Sequence, residues 1–173
     1  MDNKQLPFFK YNPNAYTESE IFYTVENTCE CCGKKTTAWF SFMYCAEDVE
    51  CICAECIHSG AAAEKFNGTF IDFAEDGVTD QEKIDELEKR TPGYDSWQGE
   101  RWQVCCEDYC AFIAHVGQKE LDELGIPDSV IQECIDKCGF EFSKYDLDSH
   151  GSMVGYLFQC LHCGKYHLVV DCD

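Results

Sequence analysis

Apolar residues occur along this chain in short clusters, each the length of one strand or of two or three helical turns, with acidic or glycine-containing stretches between them. Ile21-Phe22-Tyr23-Thr24-Val25 and Thr36-Thr37-Ala38-Trp39-Phe40-Ser41-Phe42 are β-branched and aromatic and predict strands, as do Thr69–Phe73, following the Asn67-Gly68 turn, and Tyr166–Val170. Alanine, glutamate and lysine over 57–66 predict a helix that Gly60 weakens. The capping pattern Thr79-Asp80-Gln81-Glu82 opens another helix through Arg90, with a thin apolar face of Ile84 and Leu87. Helices are also predicted over 106–116, 119–124 and 127–138, the last stopped by Gly139. Pro92-Gly93 suits the two central positions of a type II turn. The pattern as a whole predicts an α+β protein of short β-hairpins and several short helices. It forms one compact unit over residues 1–173, with sub-lobes 1–90 and 91–173.

Fifteen cysteines supply what elements this small lack. Cys29-Glu30-Cys31-Cys32-Gly33-Lys34 and Cys53-Ala54-Glu55-Cys56 are two Cys-x2-Cys pairs about twenty residues apart, the sulfur count a tetrahedral metal needs. Gly33 follows the second cysteine of its pair, where a knuckle requires positive φ. The second pair stands at a helix start, where the dipole favours thiolate. Knuckle, hairpin and helix-borne pair together resemble a zinc-ribbon or treble-clef lobe. Four thiolates leave zinc no open position, so the site reads as structural. Cys160-Leu161-His162-Cys163-Gly164-Lys165 repeats the knuckle. Its expected partners are Cys106 and Cys110, four apart and on one face of the predicted helix. The metal ligands expected are therefore Cys29, Cys32, Cys53, Cys56, Cys106, Cys110, Cys160 and Cys163, holding two structural zinc ions, with iron as the other metal a four-cysteine set takes. Cys31, Cys51 and Cys105 are alternative ligands, and His162 lies between two better ones. Cys134 and Cys138 share a helix face and read as core residues before metal ligands. Cys45 and Cys172 carry no assignment.

The formal charge is -20 and the pI near 4.4. A field of that sign repels nucleic acid, which removes a DNA-binding finger from consideration, and favours a basic partner. No apolar run approaches the ~20 residues of a membrane span, and the polar opening at Met1–Pro7 has no leader pattern. A cytoplasmic location is expected, where reduced thiols bind metal in preference to pairing as disulfides. Between the two cysteine sets, Arg90, Tyr94, Trp97, Gln98 and Trp102 bring flat rings and planar donors together. They form either a recognition pocket or, the simpler reading, an aromatic clasp joining two halves of one core.

These residues resemble the CbrC family, known from a bacterial member linked to colicin tolerance. The likeness runs nearly end to end. It includes Leu6-Pro7 to Tyr11, Cys31-Cys32-Gly33, Cys56 to Phe66, Arg90-Thr91-Pro92-Gly93-Tyr94, Trp97-Gln98 and Tyr156 to Lys165. The chain departs from the family pattern at Ala54, where proline is expected, and at Cys105, where histidine is. The resemblance implies a role in bacterial stress or toxin tolerance and no defined catalytic activity. The function expected is thus that of a non-catalytic, zinc-stabilised interaction protein. The alternative is a zinc-dependent hydrolase or thiol enzyme built on the second cysteine cluster, with His115 or His167 as base. No HExxH, nucleophile elbow, phosphate loop or thioredoxin-like context accompanies it.

Overall fold

The computed structural model describes residues 6–18 and 21–172. The polar opening at Met1–Gln5 lies outside them. Elements are short, as the clustered pattern requires: strands β1 (Asn27–Thr28), β2 (Lys35–Thr36), β3 (Trp39–Phe40) and β4 (Ile52–Cys53), then helices α1 (Ala54–His58) and α2 (Ala61–Phe66). After β5 (Phe73–Ala74) and α3 (Gln81–Arg90) come β6 (Arg101–Trp102), β7 (Val104–Cys105), β8 (Asp108–Tyr109) and β9 (Ala111–Val116). Helices α4 (Gln118–Glu123) and α5 (Asp128–Cys138) and the antiparallel pair β10 (Met153–Gln159) and β11 (Tyr166–Cys172) complete the chain. The result is a mixed fold of short helices and small sheets. No helix among the described residues is long and apolar enough to cross a membrane.

Several local predictions are modified by backbone detail. Gly60 does more than weaken the 57–66 helix: at φ 77° it divides it into α1 and α2. The α3 cap is Asp80, whose carboxylate accepts from the Glu82 amide at 2.9 Å, and not Thr79. Pro92-Gly93 is not a type II turn, since Gly93 lacks the positive φ that turn demands. Gly93 is small for a different reason: a Cβ there would collide with the Glu100 carboxylate. The strand expected over 21–25 is reduced to a single bridge, Tyr23 to Trp39. Residues 106–116 are not helical. They form the turn between β7 and β8, then β8 and β9.

The main sheet has the order β11-β10-β9 and is antiparallel throughout. Both faces of its central strand are covered, which explains the nearly unbroken apolar run Met153–Phe158. Val154, Tyr156 and Phe158 point into one buried cluster with Tyr11, Leu87, Tyr94, Trp102 and Phe112. Leu157 points into the opposite one with Val116, Leu121, Val130 and Ile131. On β9 a bulge at Ile113 shifts the register, so that Phe112 faces the first of these clusters and Ala114 and Val116 the second. A further cluster, built on Phe9, Phe40, Ile52, Ile57, Phe66 and Phe70, underlies the first cysteine set.

Candidate metal centres

The first set is assembled from two local structures. In the knuckle, the Cys29 amide bonds to the Lys34 carbonyl (2.9 Å) and the Gly33 amide to the Cys29 carbonyl (2.7 Å), a tight loop that Gly33 closes at φ 71°. β4 and α1 deliver the other pair: Cys53 is the residue preceding α1, and Cys56 lies within it. Lys65 donates from α2 to the carbonyls of Glu30 and Cys31 (2.6 and 3.0 Å), pinning the knuckle to the helices. The Sγ atoms of Cys29, Cys32, Cys53 and Cys56 all lie within 4.8 Å of one another. Cys31 and Cys51, the alternatives, are outside the group.

The second set uses the same knuckle with a different counterpart. The Cys160 amide bonds to the Lys165 carbonyl (2.8 Å), the Gly164 amide to the Cys160 carbonyl (3.0 Å), and Gly164 has φ 73°. Facing it is the β7–β8 hairpin, whose two central residues, Cys106 and Glu107, both have positive φ (54° and 57°). That is the backbone of a type I′ turn. Cys105, Cys106, Cys160 and Cys163 lie within 4.8 Å of one another. Cys110, expected as a ligand, is not in the group, and Cys105 holds its place. The difference arises because helical spacing would bring Cys106 and Cys110 to one face, whereas the hairpin turn found here brings adjacent cysteines to one point. Cys110 is fully buried among Tyr11, Trp102 and Phe158, and burial pushes its thiol up to about 12. Cys134 is likewise a buried core residue of α5.

The donor geometry fits a metal. Four sulfurs at the ~2.3 Å Zn–S bond length sit about 3.8 Å apart at the corners of a tetrahedron. Cys32 and Cys53 are separated by 3.9 Å, Cys105 and Cys106 by 3.8 Å, and Cys105 and Cys163 by 3.7 Å. A disulfide needs ~2.05 Å, and all fifteen cysteines are free. Backbone amides point at the first sulfur of each knuckle: Cys53 N to Cys29 Sγ at 3.2 Å, and His162 and Cys163 N to Cys160 Sγ at 3.5 Å. Burial opposes ionisation at both sulfurs, but these hydrogen bonds outweigh it, lowering Cys29 and bringing Cys160 down to about 6. Both groups could hold a metal ion.

Behind the second set stands a buried carboxylate that sequence gave no sign of. Asp108 is 2% exposed and accepts from Tyr11 Oη (2.7 Å), His162 Nε2 (2.9 Å) and the Tyr109 amide (2.9 Å), with Lys10 and Lys83 at 3.2 and 3.6 Å. Burial alone would raise it; hydrogen bonds from His162, Tyr11 and Lys10 prevail and hold it at about 2. Its partners lie 97 and 54 positions away in sequence, so no spacing rule reaches them. His162 is thereby turned from the sulfurs to Asp108.

The five aromatic-segment residues divide. Tyr94 stacks on Phe112 (centroids 4.5 Å apart) and Trp102 donates to the Cys110 carbonyl (2.8 Å), both inside the core. Trp97 is 59% exposed, and Gln98 is held at the surface by Asp171 and Cys172. Arg90 pairs with Glu86 on its own helix. His115, expected as a base, is occupied by the carbonyls of Glu18 and Asp95 (2.9 and 2.6 Å).

The sequence pattern of a family described as "Uncharacterised protein family (UPF0167)" matches residues 6–172. The chain is 35% identical over 179 residues to UPF0167 protein PA1536 of Pseudomonas aeruginosa, with 98% of each chain covered. It is 30% identical over 183 residues to UPF0167 proteins Mb2317 of Mycobacterium bovis and MT2352 of Mycobacterium tuberculosis, covering 97% of this chain and 94% of theirs. No solved structure matches.

Proposed function

The chain belongs to the UPF0167 family, and from that premise we propose that it is a non-catalytic protein whose two four-cysteine centres bind structural zinc and whose acidic body serves to bind a basic protein partner. The observation that carries the reading is the gathering of four cysteine sulfurs at each of two points. Each group brings four cysteine sulfurs within 4.8 Å of one another, with separations of 3.7 to 3.9 Å where they approach most closely; four thiolates bound to one zinc ion would leave no position for water or substrate. Cys29, Cys32, Cys53 and Cys56 would hold one ion; Cys105, Cys106, Cys160 and Cys163 the other. Soft thiolate donors select zinc over the hard cations, and iron is the competitor for such sets. The alternative zinc-dependent hydrolase would need an open metal position, which a set of four cysteine sulfurs argues against, and the alternative thiol enzyme would need one of these sulfurs left free of metal.

Bound zinc would add folding energy to that of the three buried clusters. Structural zinc supplies roughly 10–16 kcal/mol in small finger peptides, as much as a whole domain's typical stability. The formal charge of -20 supports the partner half of the proposal, since a field of one sign accelerates encounter with the other. The resemblance to the CbrC family extends the reading to toxin or stress tolerance in a bacterial cytoplasm, and a basic toxin domain is the kind of partner the charge suits.

Elemental analysis of protein isolated without added metal tests the zinc half. Two zinc ions per chain is the expected result. Iron would change the metal while keeping the sites; no transition metal, or oxidised thiol pairs, would overturn the reading. Binding to a basic nuclease domain, measured across salt concentrations, tests the partner half: affinity that rises as salt falls supports it, and no binding at low salt ends it.

A further inference from the structure

A cavity of about 300 Å³ opens where the 94–100 loop meets the first lobe, walled by Phe40, Phe42, Tyr44 and Tyr94, with Asp95 and Glu100 among its lining residues. The walls are arranged as a corner. The Phe42 and Tyr44 rings are perpendicular at 4.7 Å between centroids, and Phe40 and Phe42 meet at 73° and 6.5 Å. No lysine, arginine or histidine lines it. Glu100 is 5% exposed and accepts from Tyr44 Oη at 2.8 Å. No cationic side chain among the described residues is ion-paired with it.

This is an unusual way to bury a carboxylate. An acid removed from water is costly unless a cation or several donors compensate, and here one phenol and a long contact from the Asp72 amide (3.4 Å) do most of it. Burial accordingly raises Glu100 above its ordinary value, against the pull of those hydrogen bonds. Contrast Asp108, equally buried but surrounded by Lys10, Lys83 and His162. What Glu100 lacks is a positive charge, and the cavity it lines is walled by aromatic side chains, a residue class that attracts a cation placed over a ring. The volume lies at the lower end of the range for small-ligand sites.

We propose that this cavity is a binding site for an organic cation, an alkylammonium or guanidinium head on an apolar stem, with the head at Glu100 and the stem against Phe42. The inference rests on the reading that the acidic chain meets a basic partner, and it names the place where one basic side chain is received. The same chemistry is offered by a free amine, so the two sources must be separated.

The test titrates the metal-loaded full chain at low salt with butylammonium and with ethylguanidinium, following the amide signals of Tyr44, Gly99 and Glu100 by NMR, with sodium chloride as the ionic-strength control. Saturable shifts in roughly the millimolar range are expected for ligands of this size, about tenfold weaker in Glu100→Gln and several-fold weaker in Phe42→Ala. Phe42 is nearly half exposed and Glu100→Gln removes an uncompensated charge, so both variants should remain folded; melting curves on the same samples check this. No saturable shift, or equal affinity in Glu100→Gln, overturns the proposal. A lysine- or arginine-containing peptide that competes for the site and binds more tightly than the free amine assigns the cation to a polypeptide; a free amine that outbinds the peptide assigns it to a small molecule. Failure here with basic-protein binding intact leaves the partner reading standing. Cation binding without any basic-protein binding sinks the partner reading alone.

Discussion

At the scale of single residues, the distinction between cysteines that gather and cysteines that fill space has measurable consequences. Cys105 and Cys110 are five positions apart, and only one belongs to a sulfur group. Cys105→Ser should lower bound metal from two equivalents toward one and loosen the β7–β8 hairpin. Cys110→Ala should keep both equivalents and cost about 1–2 kcal/mol for a small vacated space in the core; metal content measured alongside melting temperature separates the two. Glu100 makes a residue-scale prediction of a different kind. Its folded-state pKa lies above the ordinary 4.5, so the stability linked to it is complete below that value and is lost as pH rises through the higher one. Glu100→Gln, which imitates the protonated acid, should therefore raise the melting temperature at about pH 8. The advantage should vanish at about pH 4, where wild-type Glu100 is itself neutral. An advantage independent of pH would mean that ionisation is not its origin.

At the scale of elements, the parts legible in the sequence were those whose chemistry is local. Both knuckles announce themselves by a glycine after the second cysteine, and Gly33 and Gly164 do take the positive φ this requires. α5 ends at Gly139 for the same reason. The β7–β8–β9 region reads as a helix in the sequence because its signals conflict. Cys106 and Cys110 have helical spacing, and the bulge at Ile113 interrupts the alternation that would have marked β9 as a strand. The turn itself has Cys106-Glu107 where Asn-Gly would be the recognisable pair. Two non-glycine residues in the left-handed region cost roughly 1–2 kcal/mol each, so the hairpin tip is strained where it brings its sulfurs to the second group. Glu107→Gly should relieve half of that strain, raising stability by about 1 kcal/mol with metal content unchanged. Denaturant melts of the loaded protein would show it; a loss of stability would mean the Glu107 side chain, and not its backbone, is what the hairpin needs. The Asp108 cluster and the Glu100 cavity were beyond sequence reading altogether, since each joins residues that only the tertiary fold brings together.

At the scale of the whole molecule, the two sulfur groups differ in what shields them. In the first, Cys29, Cys53 and Cys56 are buried and only Cys32 is exposed; in the second, only Cys160 is buried, while Cys106 and Cys163 are exposed. A chelator or a competing thiol reagent must approach sulfur before it can displace it, so access orders the two losses. The consequences also differ. The first group sits on the cluster of Phe40, Ile52 and Ile57, whereas the second ties the hairpin tip to the far end of β10, with Asp108 linking Tyr11 and Lys83 to the same place. Exposure of the metal-loaded chain to a chelator should therefore release metal in two phases. The first equivalent should leave with changes confined to the signals of residues 104–109 and 160–165, and the second with unfolding around Trp39 and Phe40. Following released metal by a colorimetric indicator and the backbone by NMR distinguishes this order from its alternatives. A single phase, or early loss of the Trp39 signals, would show that burial of the sulfurs does not set the order in which the two centres come apart.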